Sequence, residues 1–160
     1  MAGRKPAGSA DARGRAASKP RAGGGASAAA GYSGTPLPKK LGIKEGSSVA
    51  LVGAPPDFEA TLGALPPGAR TRRAAGRDAA VLLLFARNLA ALGRALPGAS
   101  RAVAAGGRLW ICWPKKASGL ATDLGEDDIR ALLLPKGWVD YKVCAVDATW
   151  SGLCFARRAA

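Results

Sequence analysis

Residues 1–34 contain no Leu, Ile, Val, Phe or Trp, and beyond them apolar side chains arrive in short blocks bounded by Gly and Pro. The run Ser48-Val49-Ala50-Leu51-Val52-Gly53, followed by Pro55-Pro56, predicts a buried strand closed by a turn. Asp57 then caps a short helix from Phe58 to Leu65, with Phe58, Leu62 and Leu65 on one face, and Pro66-Pro67-Gly68 stops it. Ala69 to Ala74 reads as a polar edge strand. Ala79 to Phe85 is apolar at every position, as a central strand covered on both faces requires. Leu89, Leu92 and Leu96, at spacings of three and four, mark a helix that Pro97-Gly98 breaks or kinks and that resumes to Ala105.

Gly106-Gly107 is expected to cap that helix and lead into Leu109 to Trp113, a second strand apolar on both faces, with Trp110 and Trp113 pointing to opposite sides. Asp123-Leu124-Gly125-Glu126 reads as a capping box for a helix through Ile129, Leu132 and Leu133 to Lys136-Gly137, with Asp127 and Asp128 favouring its positive end. Trp138 to Val146 and Trp150 to Ala156 complete the chain as two strands joined by a tight turn. This order predicts an α/β domain with a mostly parallel sheet and a C-terminal antiparallel hairpin.

The chain has 160 residues and a formal net charge of +13. Much of its hydrophobic content is Ala, and the larger apolar side chains suffice for one core, so residues 35–160 are expected to form a single α/β domain. Residues 1–34, interrupted by Pro20 and Gly23-Gly24-Gly25, cannot repay their ordering entropy by burial and are predicted to be a disordered basic tail. Arg4, Lys5, Arg13, Arg15, Lys19 and Arg21 against Asp11 suit weak, non-specific nucleic-acid binding. The same tail also reads as a solvated spacer, or as an Ala-, Arg- and Ser-rich targeting segment. No aromatic residues are interleaved with its charges in the manner of a single-strand platform.

Histidine is absent, which excludes Ser-His-Asp hydrolysis, histidine proton shuttling and histidine-containing metal sites. Cys112, Cys144 and Cys154 lack CxxC spacing and lie in apolar runs, so they read as buried reduced thiols rather than as a disulfide framework or a metal site. Asp123, Glu126, Asp127 and Asp128 have the spacing of helix capping rather than of facing catalytic carboxylates. No stretch approaches a membrane span, and a soluble, cytoplasmic protein with no membrane partner is expected.

Gly106-Gly107-Arg108-Leu109-Trp110-Ile111 resembles the glycine pair and fifth strand of class I S-adenosylmethionine-dependent methyltransferases, and the helix and hairpin that follow are similar to that fold's C-terminal end. More specifically, TPLPKKLGIKEGSSVALVGAP, WPKKASGLATDL and KVCAVDATWSGL together resemble an uncharacterised bacterial family known as domain of unknown function 3052, across nearly all of residues 35–158. That family implies kinship without chemistry. The broader resemblance implies a truncated Rossmann-like, methyltransferase-like three-layer sandwich. Such enzymes hold their cofactor with a Gly-rich turn after the first strand and an acidic residue after the second. Here the turn reads Gly53-Ala54-Pro55-Pro56, and Thr71-Arg72-Arg73 ends without a nearby carboxylate. About 30 residues separate the two central strands, too few for a full βαβαβ half.

Ligands of open α/β sheets collect beyond the carboxyl ends of the strands. Four loops should share that edge: Gly53 to Asp57, Ala86 to Asn88, Pro114 to Gly119 and, if the penultimate strand is parallel to the others, the hairpin turn Asp147 to Gly152. The candidate site residues are Gly53 and Pro55, the cations and hydroxyl of Lys115, Lys116 and Ser118, and the carboxylate, hydroxyl and flat wall of Asp147, Thr149 and Trp150. Such a set suits a small anionic or nucleotide-like ligand, or a protein partner. The competing reading pairs Lys115 and Lys116 with Asp147 or with the acidic run 123–128, and buries Trp150 in the core. The sequence favours a non-catalytic binding or interaction domain and names no cofactor. The alternatives are a divergent S-adenosylmethionine-dependent methyltransferase or an enzyme acting through Lys115 or Lys116, and nucleic-acid association through the tail.

Overall fold

The two segments that are apolar at every position lie at the centre of one six-stranded sheet in a computed structural model that describes residues 35–158. In chain order the elements are α1 (Leu37–Lys40), β1 (Ser48–Val52), α2 (Phe58–Leu62), β2 (Arg70–Arg72), β3 (Ala79–Phe85), α3 (Leu89–Ala102), β4 (Val103–Pro114), α4 (Glu126–Leu133), β5 (Trp138–Ala145) and β6 (Trp150–Arg157). The spatial order is β2-β1-β3-β4-β6-β5. β1 is parallel to β2 and β3, and β3 to β4, whereas β6 is antiparallel to both β4 and β5. β5 therefore runs in the direction of the four parallel strands.

Each face of the sheet has its own core. On one, Leu92, Leu96, Ala99 and Ala102 of α3 and Ile129 and Leu133 of α4 cover Leu82, Leu84, Leu109, Ile111 and Trp113. On the other, Leu41, Ile43 and the α2 residues Phe58 and Leu62 cover Val81, Leu83, Trp110 and Cys112. Trp110 and Trp113 thus face opposite cores. The fully buried Trp110 indole donates a hydrogen bond from Nε1 to the Leu41 carbonyl at 3.0 Å, fastening the segment before β1 to β4.

Several elements differ from the sequence expectation. Helix α2 stops at Leu62 because Gly63 adopts φ 80°, leaving Leu65 outside the helix. Helix α3 passes unbroken through Pro97. Pro97 and Gly93 are both on the exposed side, so the carbonyl that loses its donor faces water. Gly106-Gly107 is not a helix cap: α3 ends at Ala102 and β4 begins at once. The pairing of Ala79 with Val103 and then of Val81 with Arg108 shows that the glycines lie in a bulge of β4. Gly106 takes φ 76°, and a Cβ on Gly107 would meet the Ala79 carbonyl oxygen at 2.9 Å.

The capping box is also rearranged. Asp128 Oδ2 accepts from the Gly125 backbone N–H at 3.0 Å, whereas Asp123 Oδ1 accepts from Leu89 N–H at 2.7 Å and so caps a different helix, α3. The loops after β3 and β4 end at the same edge, which brings Asp123 to that helix start. Asn88 Oδ1 completes the α3 cap by accepting from Ala91 N–H at 2.8 Å.

Trp110→Phe removes the indole donor, leaves the buried Leu41 carbonyl unsatisfied and opens a small void. Urea unfolding should show a loss on the order of 2 kcal/mol.

Candidate functional site

The direction of β5 brings the hairpin turn to the edge where β1, β3 and β4 end. Lys115 N–H donates to the Thr149 carbonyl at 2.8 Å, joining the β4 loop to that turn. Gly53, at the end of β1, has φ 73°, and a Cβ there would stand 2.8 Å from the Phe85 carbonyl oxygen, so the crossing of β1 and β3 ends itself demands glycine. Trp150 is 6% exposed and meets Phe85 edge-on at 5.1 Å between ring centroids. It is a core residue and not an open wall for a ligand.

The polar groups expected to face a ligand are largely engaged within the loops. Ser118 Oγ donates to the Lys115 carbonyl at 2.6 Å and accepts from Leu120 N–H at 3.1 Å. Asp147 Oδ1 accepts from Thr149 N–H and Trp150 N–H, both at 2.8 Å, and closes the hairpin turn. Lys115 is half-buried and Lys116 exposed, and among the described residues neither ammonium lies within ion-pair distance of a carboxylate.

The acidic run that was the alternative partner for these lysines is held elsewhere. Arg130 binds Asp140 at 2.8 Å, Glu126 at 3.0 Å and Asp127 at 3.6 Å, while Asp128 caps its own helix. A cleft of about 510 Å³ opens between Lys116, Pro114 and the first turn of α4. Asp57, Glu59, Asp123, Glu126, Asp127, Asp128 and Asp147 share this edge with Arg73, Arg87, Lys115, Lys116 and Lys40, whose Nζ donates to the Ala145 carbonyl at 3.4 Å.

Arg73, directly after β2, is the residue that sequence reasoning missed. Its Nη1 donates to the Ala54 carbonyl at 3.2 Å, and its Nη2 to the carbonyls of Pro55 at 2.7 Å and Pro56 at 3.0 Å. Nε and Nη2 also grip the Glu59 carboxylate at 2.9 and 2.6 Å. One planar fork with five donors thus clamps a proline loop rich in acceptors. The hydrogen bond from Arg73 holds the Glu59 carboxyl below its ordinary range. Its contribution is accordingly present at neutral pH and lost as pH falls through that lowered value. The available signal was an arginine following the second strand, with a glutamate in the first turn of the preceding helix and prolines between them.

The thiols are poor nucleophiles. Burial pushes Cys112 well up and raises Cys144 and Cys154, even though Lys40, Lys142 and Lys115 pull Cys144 partly back. Among the described residues no group of His, Cys, Asp and Glu side chains could hold a metal ion, and no helix is long and apolar enough to cross a membrane.

No protein-family model and no curated protein matches the sequence. Solved structures do resemble the fold. A protein from Sulfolobus solfataricus, described as a candidate type 11 methyltransferase, aligns at TM-score 0.52 and 12% identity over 78% of this chain and 90% of its own. DhpI in its complex with SAH aligns at TM-score 0.51 and 10% identity, over 78% and 83%. The ribosomal protein L11 methylase from Lactobacillus delbrueckii subsp. bulgaricus aligns at 0.51 and 13%, over 77% and 75%. The chain has the methyltransferase-like Rossmann fold. At these identities the likeness is one of fold alone.

Asp147→Ala should loosen the hairpin turn and lower stability by about 1–2 kcal/mol in chemical denaturation, whereas Asp147→Asn, which keeps an acceptor oxygen, should retain most of it.

Proposed function

We propose that the domain is a non-catalytic binding module built on the methyltransferase fold, with its own Arg73 filling the place where such enzymes meet S-adenosylmethionine. The clamp of Arg73 on the carbonyls of residues 54–56 and on Glu59 carries this reading. The resemblance to class I enzymes implies a Gly-rich turn and an acidic residue at these two positions. Here the turn holds two prolines without amide donors, and the position after β2 holds a cation. The module's ligand is a small anion or an acidic site on a partner protein, met by Lys115 and Lys116, whose ammonium groups have no carboxylate within ion-pair distance among the described residues.

The resemblance of three motifs to domain of unknown function 3052, a family whose membership no matching model supports, fits the same edge. Its three motifs include the Ala54-Pro55 loop, the Lys115-Lys116 loop and the Asp147 hairpin turn, which lie at the ends of β1, β4 and β5.

A second reading, a divergent S-adenosylmethionine-dependent methyltransferase, is supported by the fold and by the SAH complex among the similar structures. It requires Arg73 to release the loop. Isothermal titration of the full chain with S-adenosylmethionine and with SAH separates the two readings. The binding-module reading expects no heat up to millimolar ligand, for the wild type and for Lys115→Glu/Lys116→Glu alike. Stoichiometric micromolar binding by the wild type would establish the second reading instead.

A further inference from the structure

The edge at which the parallel strands begin has the opposite electrical character to the loop edge. Lys44, Arg70, Arg77, Arg101 and Lys136 lie there, each exposed, with no hydrogen-bond or ion-pair partner for the cationic head among the described residues. Arg108, Arg157 and Arg158 join them. Their guanidinium groups donate to backbone carbonyls, as in the bond from Arg157 Nη2 to Ser100 at 2.6 Å, and are thereby held in place without being neutralised. Glu45 and Asp78 lie on this edge, and Asp140, near the start of β5, is paired with Arg130 at 2.8 Å, so the cations there outnumber the acids among the described residues. The excess positive charge of the folded body is therefore collected on the edge opposite the loops.

This row spans the starts of β1 to β4 and the ends of the hairpin strands. At about 4.8 Å per strand, six strands make a rim roughly 25 Å wide, the length of several nucleotides. A cleft of about 330 Å³ opens in it, lined by Lys44, Ser47, Arg108, Tyr141 and the glycine backbone of the β4 bulge. Tyr141 is 50% exposed, its hydroxyl is hydrogen-bonded to Arg108 Nε, and the Arg108 guanidinium lies 5.2 Å from the ring centroid. The tyrosine is thus a positioned aromatic surface inside a cationic cleft.

We propose that this edge binds single-stranded nucleic acid, with the phosphate backbone along the basic rim and one base against Tyr141. A cationic track with an aromatic face is the combination that single-strand binding uses, and it needs no sequence-specific contacts. The proposal is independent of the Arg73 reading, which concerns the other edge, and of residues 1–34, which lie outside the described residues.

The test is fluorescence anisotropy of the full-length chain with a labelled oligouridylate and a labelled oligothymidylate across a salt series. Arg70→Glu/Arg77→Glu/Arg101→Glu should weaken binding more than tenfold and reduce the salt slope by about 2. Tyr141→Ala should weaken it about tenfold with the slope unchanged. Arg87→Glu/Arg94→Glu, exposed positions away from this edge with the same change of charge per residue, should leave binding as in the wild type. Unchanged affinity in the triple variant would overturn the proposal by placing any binding on the tail. So would equal loss in the Arg87/Arg94 variant, the absence of binding at low salt, or binding to anionic lipid vesicles in place of the oligonucleotides.

Discussion

Two strands that are apolar on both faces must be covered on both faces, and most of this architecture follows from that requirement. β3 and β4 place Leu82, Leu84, Leu109 and Ile111 toward one layer and Val81, Leu83, Trp110 and Cys112 toward the other. A parallel pair can be covered twice only if the connecting segments cross over the sheet, so every parallel strand starts at one edge and ends at the other. The hairpin then closes the open side of β4 in the antiparallel sense, from Leu109 paired with Phe155 to Pro114 paired with Trp150. The two edges that result are chemically distinct. One collects loops, helix starts and most of the acidic side chains; the other collects arginines and lysines with few acids.

The fold and the loop edge differ in what they share with methyltransferases. The sheet and its layers are those of a methyltransferase-like domain, while the loop after β1 is bound by the chain's own guanidinium. Pro55 and Pro56 explain the exchange, because a loop that offers carbonyls and lacks amide donors is a better partner for an arginine than for an anionic or carboxylate-bearing ligand. Arg73 satisfies those carbonyls and reaches the Glu59 carboxylate in the same plane.

Much of this was readable from local pattern. The apolar runs mark β1, β3 and β4, the polar stretch after Pro66-Pro67 marks an edge strand, and the two runs from Trp138 and Trp150, with a tight turn between them, mark the hairpin. What escaped depends on residues brought together from far apart. Asp123 caps α3 across 34 positions, Arg73 reaches back to residues 54–59, and Gly107 is glycine because β4 presses on Ala79. Of the two effects expected at Pro97, a break or a kink, the break does not occur, because the face the proline disturbs is wet and the opposite face is anchored by Leu92, Leu96 and Ala99. The candidate residues Lys115 and Thr149 were correctly placed on one edge, since strand direction alone determines that. The burial of Trp150 is one of the two readings the sequence offers, whereas the roles of Ser118 and Asp147 are not legible there, because their hydrogen bonds are set by the closed loops.

The contact on which the binding-module reading rests is that of Arg73 with the carbonyls of the 54–56 loop. Side-chain NMR of the arginine Nε–H groups tests it directly. A clamped Arg73 should show an Nε–H resonance protected from solvent exchange and slowed rotation of its guanidinium; Glu59→Ala, which removes the acceptor of Nε–H, should expose that N–H while the carbonyls of Ala54, Pro55 and Pro56 still slow the rotation. Rapid exchange and free rotation in the wild type, matching Arg87 and Arg94, would contradict the account.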